Sequence, residues 1–387
     1  MLKGNKGEWS EIYVFLKLLA DGKLYSADEN LEIIENIYYP IIKILRTETE
    51  NKRDYFINGD IEIFDAENET LLMKIPVIDF VENSKKLFNY LKSSSGRSFS
   101  FLDIESFLES IDVKNLTGLK TDKSDIRILI HDFNTHRKEK LGFSIKSMIG
   151  KDSTLFNPAV GTNFIYKISH PENKKIDISA FNRETLLKSK DNSKLSKINI
   201  RINELLKLGY QINFEKIQSE NLELNLILID SQLPLILSKI LMYKYSLSVS
   251  NTKDLIELIK QKNPLNFNLS KGHPFYENKI KNFLTESALG MTPETVWNGI
   301  YDATGGIIIV KSSGDLVCYH IYNRNEFQNY LVNNTKLEQA STGENEENPG
   351  FARTDKKTKP FKFGWLYEEN GEYFLKLNLQ IRFTNSK

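Results

Sequence analysis

The chain has 387 residues, of which 40% are hydrophobic and 27% are charged, a composition typical of a soluble globular protein with one large core or two smaller ones. Its 52 basic and 51 acidic residues give a formal net charge of +1, so no overall positive field indicates a nucleic-acid partner and any such site must be a local patch. The single cysteine, Cys318, excludes an internal disulfide and a zinc site made of several thiolates, and the five histidines lack the spacing of metal ligands.

No targeting or membrane segment is predicted. The first residues lack the charged and then apolar run of a secretion signal, and the most apolar stretch, 226–241, is interrupted by Asp230 and Pro234. One unpaired cysteine also fits a reducing compartment. We therefore expect a cytoplasmic protein.

The first part of the chain alternates between helical and strand patterns. Apolar recurrence predicts helices at 7–20, 31–46, 79–92 and 101–110, the last two separated by the break at 93–96. Alternating runs predict paired strands at 56–64 and 70–77, and a hairpin formed by 125–132 and 141–147.

The remaining patterns indicate a helical region followed by strands. Residues 183–290 are mainly helical in pattern, and two strands at 305–311 and 315–322 flank a Ser-Ser-Gly turn. In the run 372–383, alternation places one set of side chains inward (Leu375, Leu377, Leu379, Ile381) and the other outward (Lys376, Asn378, Gln380, Arg382). The polar stretch 341–361 lacks periodicity and predicts a long mobile loop.

The predicted hairpin brings an acid close to a lysine. In 141–147, Leu141, Phe143 and Ile145 share one face, so Ser144 and Lys146 share the other. Asp125 opens the preceding strand, and pairing of the two strands places its carboxylate near Lys146. A strand lysine next to an aspartate is far more often a solvated surface pair than a catalytic one, and the spacing alone favours the surface pair.

An acid next to a lysine suits phosphodiester hydrolysis. Carboxylates hold a divalent ion that generates hydroxide, and the lysine stabilises the growing negative charge or orients the attacking water. Because magnesium is seldom held by one carboxylate, a second acid is needed. Glu8 and Glu11 lie on one face of the first helix and supply it if that helix packs against the hairpin, although they equally suit an exposed first helical turn.

The order of these residues resembles the PD-(D/E)XK nuclease core. That core has a helix-borne Glu, then an Asp at a strand start, then a lysine that ends the (D/E)XK segment on the next strand. Asp125 matches the motif aspartate, and residues 144–146, Ser-Ile-Lys, match the (D/E)XK segment.

The chain departs from this pattern at two positions. Ser124 stands in place of the proline, and Ser144 in place of the second acid. Serine is a poor replacement for a metal-binding carboxylate, so the resemblance implies a displaced acid, Glu11 or else Glu8, as the second magnesium ligand beside Asp125. It assigns Lys146 to the transition state or the attacking water and Ser144 to a hydrogen bond within the site.

Five segments in order look like landmarks of the HpaII-type restriction endonuclease family. They are NKGEWSEIYVFLKLLADGKLY, SDIRILIHD with LGFSIKS, STLFNPAVGTNFIYKI, VCYHIYNRNEFQNYLVNNTKLEQAST and YFLKLNLQIRF, spanning residues 5–383. The resemblance implies a Type II site-specific deoxyribonuclease of a restriction-modification system. It would cut double-stranded DNA with Mg²⁺ at a short palindrome such as CCGG, a site shared with a cognate DNA methyltransferase. A palindromic site suits a homodimer.

The predicted fold class is α/β. A mixed central sheet of PD-(D/E)XK type is flanked by helices, with a nuclease core at 1–175, a mainly helical region at 176–295 and a strand-rich region at 296–387 that serves DNA recognition.

Two segments are candidates for DNA contact. Asn323, Arg324 and Asn325 leave a strand and enter a helix; arginine can bond guanine and asparagine adenine in the major groove, although an asparagine here is more often a helix cap. In the loop 150–158, Lys151 and Ser153 suit phosphate contacts, and a plain turn explains them equally well.

Other acid and lysine groups occur, and two other functions stay open. Asp60, Glu62 and Lys74 are interpreted as an outer sheet face. Asp302, Lys311 and Asp315 flank another hairpin, and Lys311 and Asp315 bracket its turn, where charged residues are usually solvated. The serine at position 144 keeps open a nuclease-like protein that binds DNA without cutting it. The helical region 183–290 keeps open an adaptor for other proteins, which predicts no DNA affinity at low salt.

Overall fold

The computed structural model describes residues 1–118, 124–132, 136–150, 152–191, 195–340 and 363–384. Its α-helices are Lys6–Asp21 (α1), Val77–Ser93 (α2), Leu102–Ser110 (α3), Ile178–Asp191 (α4), Lys197–Lys207 (α5), Glu220–Ile229 (α6), Leu233–Leu247 (α7), Thr252–Lys262 (α8), Phe275–Leu289 (α9) and Arg324–Asn333 (α10). Its strands are Lys23–Ala27 (β1), Ile33–Thr47 (β2), Lys52–Asn58 (β3), Asp60–Asp65 (β4), Thr70–Ile75 (β5), Ile126–Asp132 (β6), Arg137–Ser147 (β7), Thr154–Phe156 (β8), Asn163–Ser169 (β9), Gln211–Ile217 (β10), Gly306–Val310 (β11), Leu316–His320 (β12), Thr335–Leu337 (β13), Leu366–Glu369 (β14), Glu372–Asn378 (β15) and Ile381–Phe383 (β16).

A large mixed sheet occupies the centre. Its nine strands run in the order β1-β12-β11-β7-β6-β2-β3-β4-β5, and β1 also pairs with the long strand β2, so six of the strands form a closed ring. The pairs β1/β12 and β7/β11 are parallel, whereas β2, β6 and β7 form an antiparallel meander. The predicted α/β class with a mixed sheet is confirmed, but the closure of the ring was not predicted.

The predicted helix at 31–46 is wrong, because this segment forms β2. It is rich in β-branched isoleucine and in tyrosine, which favour strands, and Pro40 stands in its middle, where a helix would lose a hydrogen bond. The run 56–64 is also divided. Gly59, at φ +75°, forms the turn between β3 and β4.

The first helix is well defined at both ends. Asn5 caps α1 by accepting from the Gly7 and Glu8 N–H groups, and the Glu8 carboxylate accepts from the Asn5 N–H at 2.7 Å, which completes a capping box. Gly22, at φ +67°, ends the helix in the left-handed region. The helix confirms the prediction for 7–20.

The sheet separates two hydrophobic cores. One packs α1, α2 and α3 against the sheet face that carries Phe143, Ile145 and Ile308, and the other packs the later helices against the face that carries Ile307 and Ile309. Because β11 supplies residues to both cores, it is buried on both faces. The two predicted strands around the Ser-Ser-Gly turn are confirmed as β11 and β12, which belong to this central sheet. The division into three regions stays a prediction.

The predicted helical region contains α4 to α9, interrupted by the unpredicted strand β10, which pairs with β9. The run 372–383 forms two strands in different sheets. Its predicted inward residues are all buried, but Asn378 and Gln380, predicted to point outward, are 2% and 3% exposed. The Asn378 amide donates to Ala159 O and Asn163 Oδ1, both at 2.8 Å, so hydrogen bonds replace water there.

No single helix among the described residues is long and apolar enough to cross a membrane. By length and composition alone, α6 and α7 would pass together, but they are bent by 109° at their junction.

A buried lysine gives stability an unusual pH dependence. Burial lowers the pKa of Lys244 from 10.5 to about 8, and its ammonium donates to Leu337 O at 2.7 Å. Below pH 8 folded and unfolded chains both hold this proton; between about pH 8 and 10.5 only the unfolded chain does, so this residue makes stability rise with pH. The rise is about 2–4 kcal/mol, at about 1.4 kcal/mol per unit.

We therefore expect the free energy of unfolding of the wild type, measured with urea, to rise relative to that of Lys244→Met between pH 7.5 and pH 10. Lys262→Met, at an exposed lysine of α8, is the matched control and should keep a constant difference from the wild type. A constant difference for Lys244→Met would contradict the assignment.

Candidate active site

The hairpin predicted at 125–147 forms as β6 and β7. Ile126 pairs with Phe143, and the Asp125 N–H donates to Phe143 O at 2.8 Å, so Asp125 lies at the point where β6 meets β7. Leu141, Phe143 and Ile145 are buried in the core on the α1 side. The alternation that defines the other face is thus confirmed.

Strand pairing along β7 ends earlier on one side than on the other. Among the described residues, no strand pairs with residues 144–147 on the β6 side, while β11 continues beside them on the other. The Ile145 N–H, left without a strand partner, donates to Asp125 Oδ2 at 2.7 Å. A buried backbone donor needs such an acceptor, so the carboxylate takes the place of a strand and is held in the plane of the sheet.

Ser144 connects the acid to the lysine. Its hydroxyl donates to Asp125 Oδ2 at 3.1 Å and accepts from Lys146 Nζ at 2.9 Å. Ser144 is 5% exposed and Lys146 is half-buried, which restricts both side chains. Asp125 and Lys146 therefore lie close together, as the sequence predicted, and the Ser144 hydroxyl connects them.

A cleft of about 570 Å³, the Asp125 cleft, opens over these three residues. Its other walls are the segment 154–159 and the segment 291–295 that follows α9. Lys146 is the only cationic side chain of this cleft among the described residues. A phosphate bound here would therefore meet the ammonium of Lys146 before any other positive charge.

A second cleft of about 590 Å³, the Glu11 cleft, opens beside α1 and also contains Lys146. It adds Glu11, two cations, Lys6 and Arg97, and a set of hydroxyl groups from Ser10, Ser94, Ser95, Ser147, Ser153 and Thr154. Lys146 thus lies where the two clefts meet. The cations and hydroxyls suit contacts with a phosphate backbone.

Sequence reasoning missed Lys6 and Arg97. Arg97 directly follows Ser94, Ser95 and Gly96, the break after α2. A run of small residues followed by an arginine could have suggested a phosphate-binding loop. Lys6 carried no such signal. Its place in the cleft depends on the packing of α1 against β7, where Ser10 Oγ donates to Ser147 Oγ at 2.9 Å.

The two acids of α1 that were predicted as magnesium ligands, Glu8 and Glu11, have different surroundings. Glu8 is engaged in the capping box and lines neither cleft, whereas the half-buried Glu11 lines the same cleft as Lys146. The geometry therefore favours Glu11 over Glu8 as a carboxylate near the lysine.

The described residues contain no group of three or more His, Cys, Asp or Glu side chains that could hold a metal ion. Two carboxylates fit the needs of magnesium, which keeps several waters and takes further oxygens from a substrate phosphate. Asp125 is suitable because both of its hydrogen bonds from described residues reach Oδ2, which leaves Oδ1 for a ligand. Two further carboxylates line the clefts: Glu294 lines the Asp125 cleft, and Glu11, the acid that the family resemblance implies, lines the Glu11 cleft with Lys146.

Two of the predicted DNA-contact residues, Asn323 and Arg324, line neither cleft that contains Lys146. Arg324 borders a shallow depression of about 360 Å³ with Trp297 and Asn298, and its guanidinium donates to Asn282 Oδ1 at 3.1 Å. Asn323 occupies the cap position of α10 but makes no capping hydrogen bond through its side chain, so the helix-cap explanation is not supported.

Of the remaining predicted contacts, the structure describes Asn325 and Ser153. Asn325 is exposed in the first turn of α10. Ser153 borders the Glu11 cleft, and its contact with a phosphate stays a prediction. Lys151 and the loop 341–361 lie outside the described residues.

The competing acid and lysine groups lie elsewhere. Lys74 forms an ion pair of 3.3 Å with Glu62 and is half exposed, which agrees with an outer sheet face. Lys311 donates to Leu31 O at 2.8 Å, and Asp315 accepts from Ser313 in the turn. Neither Asp60 nor Asp302 lines a cleft with Lys146.

The chain is similar to known nucleases. The chain matches the family described as HpaII restriction endonuclease over residues 5–383. It is 39% identical over 381 residues to the Type II restriction enzyme HpaII of Haemophilus parainfluenzae, covering 98% of both chains. No solved structure gave a significant match.

These matches place the protein among the Type II restriction enzymes and confirm the predicted enzyme class, a site-specific deoxyribonuclease. The chain belongs to the HpaII restriction endonuclease family.

Proposed function

We propose that this enzyme hydrolyses one phosphodiester in each strand of duplex DNA at a short palindrome, with Mg²⁺ and as a homodimer. The observation that carries the proposal is the Asp125–Ser144–Lys146 chain of hydrogen bonds at the meeting point of two clefts. The family resemblance implies CCGG as the target, which a cognate methyltransferase would protect.

The residues have distinct proposed roles. Asp125 and Glu11 would hold Mg²⁺, which when bound would supply a hydroxide-generating centre and a positive charge at the phosphate. Lys146 directs its ammonium at the phosphate oxygens and stabilises the charge that grows as the bond breaks. Ser144 does not replace the missing carboxylate as a ligand. It orients the lysine by accepting a hydrogen bond from its ammonium, and it restrains Asp125 by donating a hydrogen bond to Oδ2.

The strand order supports a PD-(D/E)XK core. After α1, the antiparallel meander β2-β6-β7 is followed by a long crossover to β11, which lies parallel to β7. The acid lies at the start of β6 and the lysine near the end of β7, as the resemblance requires. The closed ring made by the β1–β2 pairing is an addition to that layout.

Digestion of a DNA of known sequence tests the proposed function. We expect purified protein with Mg²⁺ to give discrete fragments whose ends define one palindrome, and we expect EDTA or the substitution Asp125→Asn to abolish them. Asp60→Asn, at an acid of β4 outside both clefts, is the control and should cut normally. DNA binding without cutting at any divalent ion would instead favour the inactive nuclease-like module.

A further inference from the structure

The segment between α9 and β11, residues 290–305, forms part of the wall of the Asp125 cleft. On one side, Glu294 and Thr295 line the Asp125 cleft. On the other side, Trp297 and Asn298 line the depression that contains Arg324. We call this segment the rim loop.

The rim loop presents two aliphatic side chains to solvent. Val296 is 79% exposed and Ile300 63%, and apart from Met1 no large hydrophobic side chain of the described residues is more exposed than Val296. Residues 295–301 contain no charged side chain. An exposed, uncharged and partly aliphatic tip is unsuited to phosphate contacts and suited to base pairs, whose edges and stacked faces accept apolar contacts.

The rim loop is held in one conformation. Asn225 is 3% exposed, and its side-chain NH₂ group donates to Thr292 O at 3.1 Å and to Thr295 O at 2.8 Å. Its side-chain oxygen accepts from the backbone N–H of Trp297 at 3.0 Å. The Trp297 indole donates to Ile300 O at 3.2 Å, so it turns back and leaves its two aliphatic neighbours outside. A contact surface that is already ordered loses little entropy on binding.

The base of the rim loop is attached to the catalytic strand. The Gly142 N–H donates to Thr304 Oγ1 at 3.1 Å, and the Gly305 N–H donates to Gly142 O at 2.7 Å. Gly142 lies two residues before Ser144 on β7. The position of the tip is therefore fixed relative to the residues that would act on the phosphate.

We propose that Val296 and Ile300 contact base pairs of duplex DNA next to the cleaved phosphodiester. This inference rests on the proposed function, because a duplex whose phosphate enters the Asp125 cleft must pass along its rim. The rim loop also places these contacts between the catalytic residues and Arg324, so that one surface combines apolar contact with the predicted reading of guanine.

Duplex binding in EDTA tests the inference, with fluorescence anisotropy measured over a range of KCl concentrations. One duplex carries the cut site found by digestion and the other carries the same composition in scrambled order. For the double variant Val296→Ala/Ile300→Ala we expect roughly 10- to 100-fold weaker binding to the cognate duplex, and unchanged binding to the scrambled one. The salt dependence should keep its slope, since no phosphate contact is lost. Leu71→Ala, at an aliphatic residue of β5 that is 53% exposed, should bind as the wild type does.

Three results would overturn it. If the double variant binds the cognate duplex with wild-type affinity, Val296 and Ile300 do not contact the base pairs. If both duplexes lose affinity equally, or if the salt dependence becomes shallower, the two side chains contact the DNA backbone instead of the bases. If the wild type cuts at one site while any of these holds, the inference fails and the proposed function stands. If the wild type cuts nothing, the proposed function fails first.

Discussion

Lys146→Met should cut cognate DNA roughly 100- to 1,000-fold more slowly than the wild type while binding the duplex in EDTA with similar affinity. The reason is the position of the ammonium where the two clefts meet, hydrogen-bonded to Ser144 Oγ at 2.9 Å. Removing the ammonium takes away stabilisation of the charge that grows as the phosphodiester breaks, whereas we expect ground-state binding to use other cations of the Glu11 cleft as well, such as Lys6 and Arg97. Single-turnover cleavage separates the two effects.

The same strand offers a matched control for this variant. Lys140 lies on β7 six residues before Lys146 and is exposed, so Lys140→Met removes the same charge from the same element. It should retain the wild-type cleavage rate. Lys146→Arg keeps the charge but not the geometry of a point donor, and should recover only part of the rate. Cleavage by Lys146→Met within a few-fold of the wild type would exclude the lysine from the chemistry.

The parts of the site that sequence predicted are those fixed by local geometry. A two-residue period and one turn determine that Ser144 and Lys146 share a face and that Asp125 lies beside them, so the hairpin could be deduced without knowing the rest of the fold. The strand-to-helix order around Arg324 was predictable for the same reason. Each of these deductions needed only residues within about twenty positions of one another.

The parts that sequence missed depend on distant contacts. The rim loop reaches the Asp125 cleft only because α9 packs on the sheet and β11 pairs with β7, more than 150 residues earlier in the chain. The helix prediction at 31–46 failed for a related reason. Its apolar residues suit either period, and the choice is made by pairing with β1, β3 and β6. The burial of Asn378 likewise follows from its long-range amide bonds.

Glu11→Gln should lower the cleavage rate at limiting Mg²⁺ by roughly 10- to 100-fold and shift half-maximal activity to higher Mg²⁺ concentration. The carboxylate is a predicted magnesium ligand and lines the cleft that contains Lys146. Glutamine preserves the size of the side chain and removes the charge. The measurement is the single-turnover rate as a function of Mg²⁺ concentration, with the free energy of unfolding determined in parallel.

Glu8→Gln is the matched substitution three residues away on the same helix. Glu8 accepts from the Asn5 N–H in the capping box and lines neither cleft, so its loss should cost up to about 1 kcal/mol of stability and leave the Mg²⁺ dependence unchanged. The two variants therefore separate a magnesium ligand from a helix cap. Glu11→Gln should change the Mg²⁺ dependence of cleavage, and Glu8→Gln should change the free energy of unfolding. If Glu8→Gln raises the Mg²⁺ requirement and Glu11→Gln does not, the second carboxylate is Glu8. If neither does, the Asp125 carboxylate acts with an acid from another part of the chain or from a second protomer.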